Sequence, residues 1–136
     1  MLKQLVGGAL VVALAACGET PYTAIDNARL SELQQQGVPL YDIRLPEEWR
    51  QTGVVAGAKT LTYFDAGGRP RADFMPAFSA EVGKNDPVIL ICRSGNRTDK
   101  LARELAAQGY TRVYNVKNGM LGWQADKRPT VAAVRG

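Results

Sequence analysis

A lone thiol in the second half of the chain, Cys92, is the residue best suited to chemistry. It follows the apolar run 88–91, which predicts a buried strand, and it opens the polar, glycine-containing segment 92–98. Residues 99–108 then place apolar side chains on one helical face and end before Gly109, a pattern typical of an amphipathic helix. The thiol is therefore predicted to lie in a loop that joins a strand to a helix.

A loop in this position favours negative charge. Its backbone N–H groups converge on one point, and the positive end of the helix dipole adds to their field. Arg93 and Arg97 act in the same direction and should stabilise a thiolate. We therefore predict that Cys92 is a nucleophile that handles anions, with a small buried core cysteine as the alternative.

The composition excludes several classes of site. The 136-residue chain contains no histidine and has a net charge of +4. Without histidine there is no Cys-His pair, no Ser-His-Asp triad and no His-ligated metal. The basic residues are spread along the chain instead of forming a stripe, so nucleic-acid binding is not indicated. We expect no metal and no other cofactor.

The first residues resemble a bacterial lipoprotein signal peptide. The apolar stretch 5–16 is too short to cross a bilayer, which needs about 20 residues, and it ends in small residues before Cys17. The resemblance implies removal of residues 1–16 and lipidation of Cys17, with an ordinary secretory signal as the alternative. Gly18 after the cysteine favours the outer membrane. We therefore expect a periplasmic protein, held on a Gram-negative membrane by its N-terminal lipid.

The rest of the chain is expected to form a tether at 17–21 and a single domain at 22–136, which is long enough for one core and too short for two. Predicted strands alternate along it with predicted helices. The strands are expected at 22–25, 38–43, 58–62, 88–91 and 112–116, and the helices at 27–36, 46–52, 72–81, 99–108 and 119–125. This order predicts an α/β fold, with a mainly parallel sheet between helices on both faces. Ligands bind beyond the carboxyl ends of such strands, and Cys92 lies at one of these ends.

Four segments of the chain resemble single-domain rhodaneses, the thiosulfate sulfurtransferase family. They are residues 41–49 (Tyr-Asp-Ile-Arg-Leu-Pro-Glu-Glu-Trp), 53–58 (Gly-Val-Val-Ala-Gly-Ala), 92–98 (Cys-Arg-Ser-Gly-Asn-Arg-Thr) and 116–123 (Val-Lys-Asn-Gly-Met-Leu-Gly-Trp). Val54 departs from the pattern where histidine is usual, and Asn118 departs where glycine is usual. The resemblance covers residues 22–131 and implies the three-layer rhodanese fold.

The resemblance also implies roles for individual residues. Cys92 is the expected catalytic residue, and Asp42 and Arg44 are expected to brace the catalytic loop and line its pocket. The expected active-site loop consists of Arg93, Ser94, Gly95, Asn96, Arg97 and Thr98. Within this loop the two arginines are expected to attract and orient a dianionic sulfur donor.

The implied reaction moves sulfane sulfur from thiosulfate or a persulfide donor, through a persulfide on Cys92, to cyanide or a thiol. Two alternatives remain open: a non-enzymatic carrier that passes the persulfide to an acceptor protein, and a lipid-tethered module that binds an anion without chemistry. A cysteine-dependent phosphatase is disfavoured. Only four residues separate Cys92 from Arg97, whereas phosphatases use five, and the shorter loop is too small for a tetrahedral oxyanion.

Overall fold

The computed structural model describes residues 20–134, within which five strands alternate with five helices. The strands are β1 (Thr23–Ile25), β2 (Leu40–Asp42), β3 (Lys59–Thr60), β4 (Val88–Ile91) and β5 (Val113–Val116). The helices are α1 (Asn27–Gln35), α2 (Pro46–Thr52), α3 (Phe74–Glu81), α4 (Asn96–Ala107) and α5 (Gly119–Ala125). The predicted signal segment 1–16, the lipidation site Cys17 and most of the tether 17–21 lie outside the described residues.

The strands form one sheet in the order β1-β5-β4-β2-β3, and every neighbouring pair is parallel. Parallel neighbours need a crossover connection, and helices supply these connections here. The predicted α/β fold with a central parallel sheet is therefore confirmed. β4 lies at the centre of the sheet, so the cysteine that follows it emerges at the middle of the carboxyl edge.

Successive side chains of β4 point to opposite faces of the sheet and supply two separate cores. Val88 and Leu90 contribute to one core, and Ile89 and Ile91 contribute to the other. Helices α3 and α4 complete the first core with Phe74, Phe78, Leu101 and Leu105. Helices α1 and α5 complete the second with Leu30, Leu33, Met120 and Trp123. The result is the predicted three-layer arrangement, and Cys92 belongs to the core beneath α3 and α4.

Strands β2 and β3 and helix α3 are shorter than the sequence predicts, and helix α4 begins earlier. This helix begins at Asn96, three residues before the predicted start, because Gly95 already completes the turn with a φ of 96°. Three residues of the predicted loop thus lie in the first helical turn, where polar side chains are readily accommodated. Helix α5 has the predicted bounds, and Asp26 caps α1 by accepting a hydrogen bond from the backbone N–H of Arg29 at 2.8 Å.

The C-terminal segment fastens the end of α2. Val54 and Val131 exchange two backbone hydrogen bonds, each 2.8 Å long, in an isolated antiparallel bridge. Val54 is buried, so the residue that stands where the family usually has histidine packs as an apolar side chain. This bridge holds the connection that follows α2.

Within residues 20–134, no helix is long and apolar enough to span a membrane. No group of three or more histidine, cysteine, aspartate or glutamate residues in that range could hold a metal ion.

Candidate active site

Cys92 directly follows β4, and its side chain has no exposed surface. Its Sγ accepts a hydrogen bond from the backbone N–H of Gly95 at 3.2 Å and lies 3.3 Å from Oγ1 of Thr98. The loop thus brings a backbone donor to the sulfur, as the sequence predicts. A donor molecule can reach the buried sulfur only if neighbouring groups move.

Gly95 is required at its position by both conformation and space. Its φ of 96° belongs to the left-handed region, and a Cβ there would overlap the carbonyl oxygen of Lys117. This close approach lets the backbone turn its N–H toward the Cys92 sulfur. The turn is therefore built by the contact between two loops, the one after β4 and the one after β5.

The start of α5 holds the cysteine loop through backbone hydrogen bonds. Met120 N–H donates to the carbonyl oxygen of Cys92 at 2.8 Å, and Leu121 N–H donates to that of Arg93 at 3.0 Å. Both N–H groups belong to the first turn of α5, where they have no partner within the helix. Gly119 makes this approach possible, because a Cβ there would overlap the Cys92 carbonyl oxygen. Asn118 has a φ of −109°, so its substitution for glycine requires no left-handed backbone.

A buried polar network lies beside the thiol. The Thr98 hydroxyl is 2.6 Å from Oδ1 of Asn115, to which it donates, and Nδ2 of Asn115 donates to the carbonyl oxygen of Gly95 at 3.3 Å. Thr98 is fully buried and Asn115 is 4% exposed. The Thr98 hydroxyl also lies 3.1 Å from the carbonyl oxygen of Gly95, a second acceptor, and either Thr98 or Cys92 can be the donor in the 3.3 Å contact between them.

Sequence reasoning missed Asn115. The available signal was a lone amide inside the apolar strand Val113–Val116, one strand away from the cysteine. A buried amide must find partners, and the cysteine loop provides them.

Asp42 and Arg44 form a buried ion pair at the end of β2. Their side chains are 0% and 1% exposed, and Arg44 Nη2 lies 2.8 Å from Asp42 Oδ2. Arg44 also donates to Oγ1 of Thr52 at 2.9 Å and to the carbonyl oxygen of Gly53 at 3.0 Å. Trp49 Nε1 donates to Asp42 Oδ1 at 3.0 Å. The pair therefore fastens α2 to the sheet. It makes no hydrogen bond to residues 92–98, so any support it gives to the cysteine loop is indirect.

Arg97 is held by Glu48 of α2. Its Nη1 and Nη2 lie 2.6 Å and 2.8 Å from the two carboxylate oxygens, and both side chains are partly buried. The hydrogen bonds from Arg97 are the main cause of a lowered pKa of Glu48, and the carboxylate in turn raises the pKa of Arg97. In the structure, Arg97 is therefore paired with Glu48, whereas the sequence predicted that Arg97 would face a sulfur donor. Glu48 lies in one of the resembling segments, but sequence reasoning gave it no role.

The remaining residues of the predicted loop lie nearer to solvent. Arg93 and Asn96 are exposed, and Ser94 is partly buried. Arg93 forms no ion pair with any residue in the range 20–134. Since Arg97 is paired with Glu48, Arg93 is the loop arginine that is available to an anion.

The fold and the site together define a class of protein: a three-layer α/β domain with a cysteine loop at the carboxyl end of its central strand. Residues 26–126 match the family described as the rhodanese-like domain. The chain belongs to this family. The resemblance inferred from its four sequence segments is confirmed in this respect.

Individual relatives are sulfurtransferases. The chain is 33% identical over 94 residues to thiosulfate sulfurtransferase 16, chloroplastic, of Arabidopsis thaliana, a match that covers 67% of this chain and 78% of the relative. It is 33% identical over 110 residues to a sulfurtransferase of Allochromatium vinosum, with 79% and 94% covered. The crystal structure of a rhodanese-like domain protein from Staphylococcus aureus is similar with a TM-score of 0.59, at 25% identity, over 74% of this chain and 90% of that one.

Proposed function

We propose that this protein is a thiosulfate or persulfide sulfurtransferase that carries sulfane sulfur on Cys92 and delivers it to cyanide or a thiol. Membership of the rhodanese-like family and the sulfurtransferase relatives support the reaction class. The observation that carries the assignment to Cys92 is the 3.2 Å hydrogen bond from Gly95 N–H to its sulfur. A backbone donor aimed at sulfur stabilises a thiolate without the histidine that the chain lacks.

The proposed reaction has two displacement steps. The Cys92 thiolate attacks the outer sulfur of thiosulfate, the sulfur–sulfur bond of the donor breaks, and sulfite leaves with its electron pair. The product is a Cys92 persulfide anion. Cyanide then attacks the outer sulfur of this persulfide, and thiocyanate leaves as the thiolate is restored. Both steps balance without an external oxidant or reductant, and neither calls on a cofactor.

Burial of the cysteine argues for a transient opening. Cys92 has no exposed surface, so donor entry must displace side chains at the loop. The backbone of the loop is held by the hydrogen bonds from α5, and it is thus expected to keep its shape while side chains move. A phosphatase reaction remains disfavoured, because the loop arginine that would hold the oxyanion is already paired with Glu48.

The test is thiocyanate formation from thiosulfate and cyanide by the purified protein. Cys92→Ser should abolish turnover, and mass spectrometry of the donor-treated wild type should show one additional sulfur on the Cys92 peptide. Unchanged turnover in the serine variant would refute the role of Cys92. A persulfide that transfers only to a candidate acceptor protein, and not to cyanide or small thiols, would favour the carrier alternative.

We further propose that residues 1–16 are a lipoprotein signal, that Cys17 is lipidated, and that the protein is anchored on the periplasmic side of the outer membrane. The small residues before Cys17 support this proposal. Labelled palmitate should be incorporated by the wild-type protein in a Gram-negative host. Incorporation that persists in Cys17→Ser would contradict it.

A further inference from the structure

The charges around the cysteine loop are mostly neutralised in pairs. Six charged residues concern the loop here: Asp42 at the end of β2, Arg44 just after it, Glu48 on α2, Arg93 on the loop, Arg97 in the first turn of α4, and Lys117 after β5. Four of these six residues form the two ion pairs described above. Arg93 and Lys117 are exposed and form no ion pair with another residue in the described range.

The Glu48–Arg97 pair limits which N–H groups the loop presents to a sulfur donor. A bidentate carboxylate forms strong, charge-assisted hydrogen bonds with a guanidinium, and here it engages both terminal nitrogens of Arg97. A sulfonate group could use these donors only by displacing the carboxylate. Until then, Glu48 also repels a second negative charge on the ligand. Compared with a free Arg97, the pair therefore attracts a dianion less strongly, and this loss is smaller for a monoanion.

We propose that Glu48 is a positioning residue that determines donor specificity: by holding Arg97, it weakens recognition of doubly charged thiosulfate and favours a persulfide whose reacting end carries one negative charge. This inference rests on the proposed sulfurtransferase function. It differs from the expectation drawn from the sequence, in which both Arg93 and Arg97 attract and orient a dianionic sulfur donor. Glu48 acts through Arg97 and does not itself take part in bond making.

The test compares three substitutions at two neighbouring positions of α2. Glu48→Gln removes the negative charge but keeps an oxygen that can accept the hydrogen bond from the Leu45 N–H, now 3.3 Å long. Glu47→Gln makes the same change of net charge one residue away, at an exposed position without an ion pair to any residue in 20–134. Glu48→Asp retains the carboxylate and serves as a conservative variant. For each protein, kcat and KM are measured with thiosulfate and with 2-mercaptoethanol persulfide.

We expect Glu48→Gln to lower the KM for thiosulfate by roughly threefold or more, with kcat and the KM for the persulfide changed by less than about twofold. Glu47→Gln should leave all values unchanged, and Glu48→Asp should keep the wild-type preference between donors. A thiosulfate KM that is unchanged or raised in Glu48→Gln would overturn the inference. Equal changes for the two donors, or the same effect in Glu47→Gln, would also overturn it.

The same comparison of donors separates this inference from the proposed function. If the wild type transfers no sulfur from either donor, the proposed function fails. If the wild type transfers sulfur but Glu48→Gln leaves the ratio of the two KM values unchanged, the inference about Glu48 fails on its own.

Discussion

The backbone N–H of Met120 donates to the carbonyl oxygen of Cys92 at 2.8 Å, which joins the first turn of α5 to the candidate nucleophile. The two residues are far apart in sequence but follow neighbouring strands, β5 and β4. The same helix end holds Arg93 through Leu121, so two adjacent carbonyl oxygens of the loop are fixed. The shape of the cysteine loop therefore depends on a helix that contributes no side chain to the sulfur.

Gly119→Ala should disrupt this contact between α5 and the cysteine loop. The added methyl group would overlap the Cys92 carbonyl oxygen, and either the loop or α5 must shift. Gly37→Ala is the matched control, because Gly37 also has positive φ but nothing lies within 4 Å of its missing Cβ. The control should lose only about 1 kcal/mol from backbone strain, whereas Gly119→Ala should lose at least about 2 kcal/mol and most of the activity. Urea unfolding and thiocyanate formation measure both effects; equal losses would contradict the prediction.

Thr98 and Asn115 should be energetically coupled. Thr98→Val removes the hydroxyl that donates a hydrogen bond to Asn115, and Asn115→Ala removes both hydrogen bonds of the amide. Each single substitution should cost about 1–3 kcal/mol of unfolding free energy, because it removes hydrogen bonds from a buried polar network. The double variant should cost less than the sum by about 1 kcal/mol. Urea unfolding of all four proteins gives this cycle, and strict additivity would show that the 2.6 Å contact contributes nothing.

Arg44→Lys should destabilise the domain although it keeps the charge. The guanidinium reaches Asp42, Thr52 and Gly53 at the same time, which the single ammonium group of lysine cannot do. We expect a loss of about 3 kcal/mol, since part of a buried carboxylate is left unpaired. Arg50→Lys, at an exposed position of α2, should change stability by less than about 0.5 kcal/mol. Thermal unfolding of the two variants provides the comparison, in which similar losses would argue against the bracing role.

The ion pair of Glu48 and Arg97 should contribute stability that depends on pH. The pKa of Glu48 is lowered in the folded protein, chiefly by hydrogen bonds from Arg97. The contribution is therefore present above the ordinary pKa of a glutamate and is lost as the pH falls through the lowered value. At neutral pH, Glu48→Gln should be less stable than the wild type by about 1 kcal/mol or less.

This difference between Glu48→Gln and the wild type should shrink steadily below about pH 4. Urea unfolding at neutral and acidic pH measures it, with Glu47→Gln as the control that shows no such trend. A stability difference that stays constant down to about pH 3 would mean that the carboxylate charge does not contribute.

The sequence was most informative where local patterns act alone. The apolar run that became β4, the glycine after it and the amphipathic face of α4 predicted a strand, a turn and a helix around Cys92, and the structure contains all three. Boundaries were less predictable, since polar residues such as Asn96 fit either a loop or a first helical turn. The strand predicted at 58–62 shortened to Lys59–Thr60, because its length depends on pairing with β2.

Sequence alone therefore determined the class of fold, the place of the thiol at a strand's carboxyl end and the absence of any imidazole to assist it. The tertiary structure decided which charges remain available. Glu48 and Arg97 are separated by 48 residues, and only the packing of α2 against the cysteine loop brings them into bidentate contact. Asn115 and Thr98 likewise meet only across β5 and α4. Partner choice among distant polar groups depends on the assembled sheet, which no local pattern specifies.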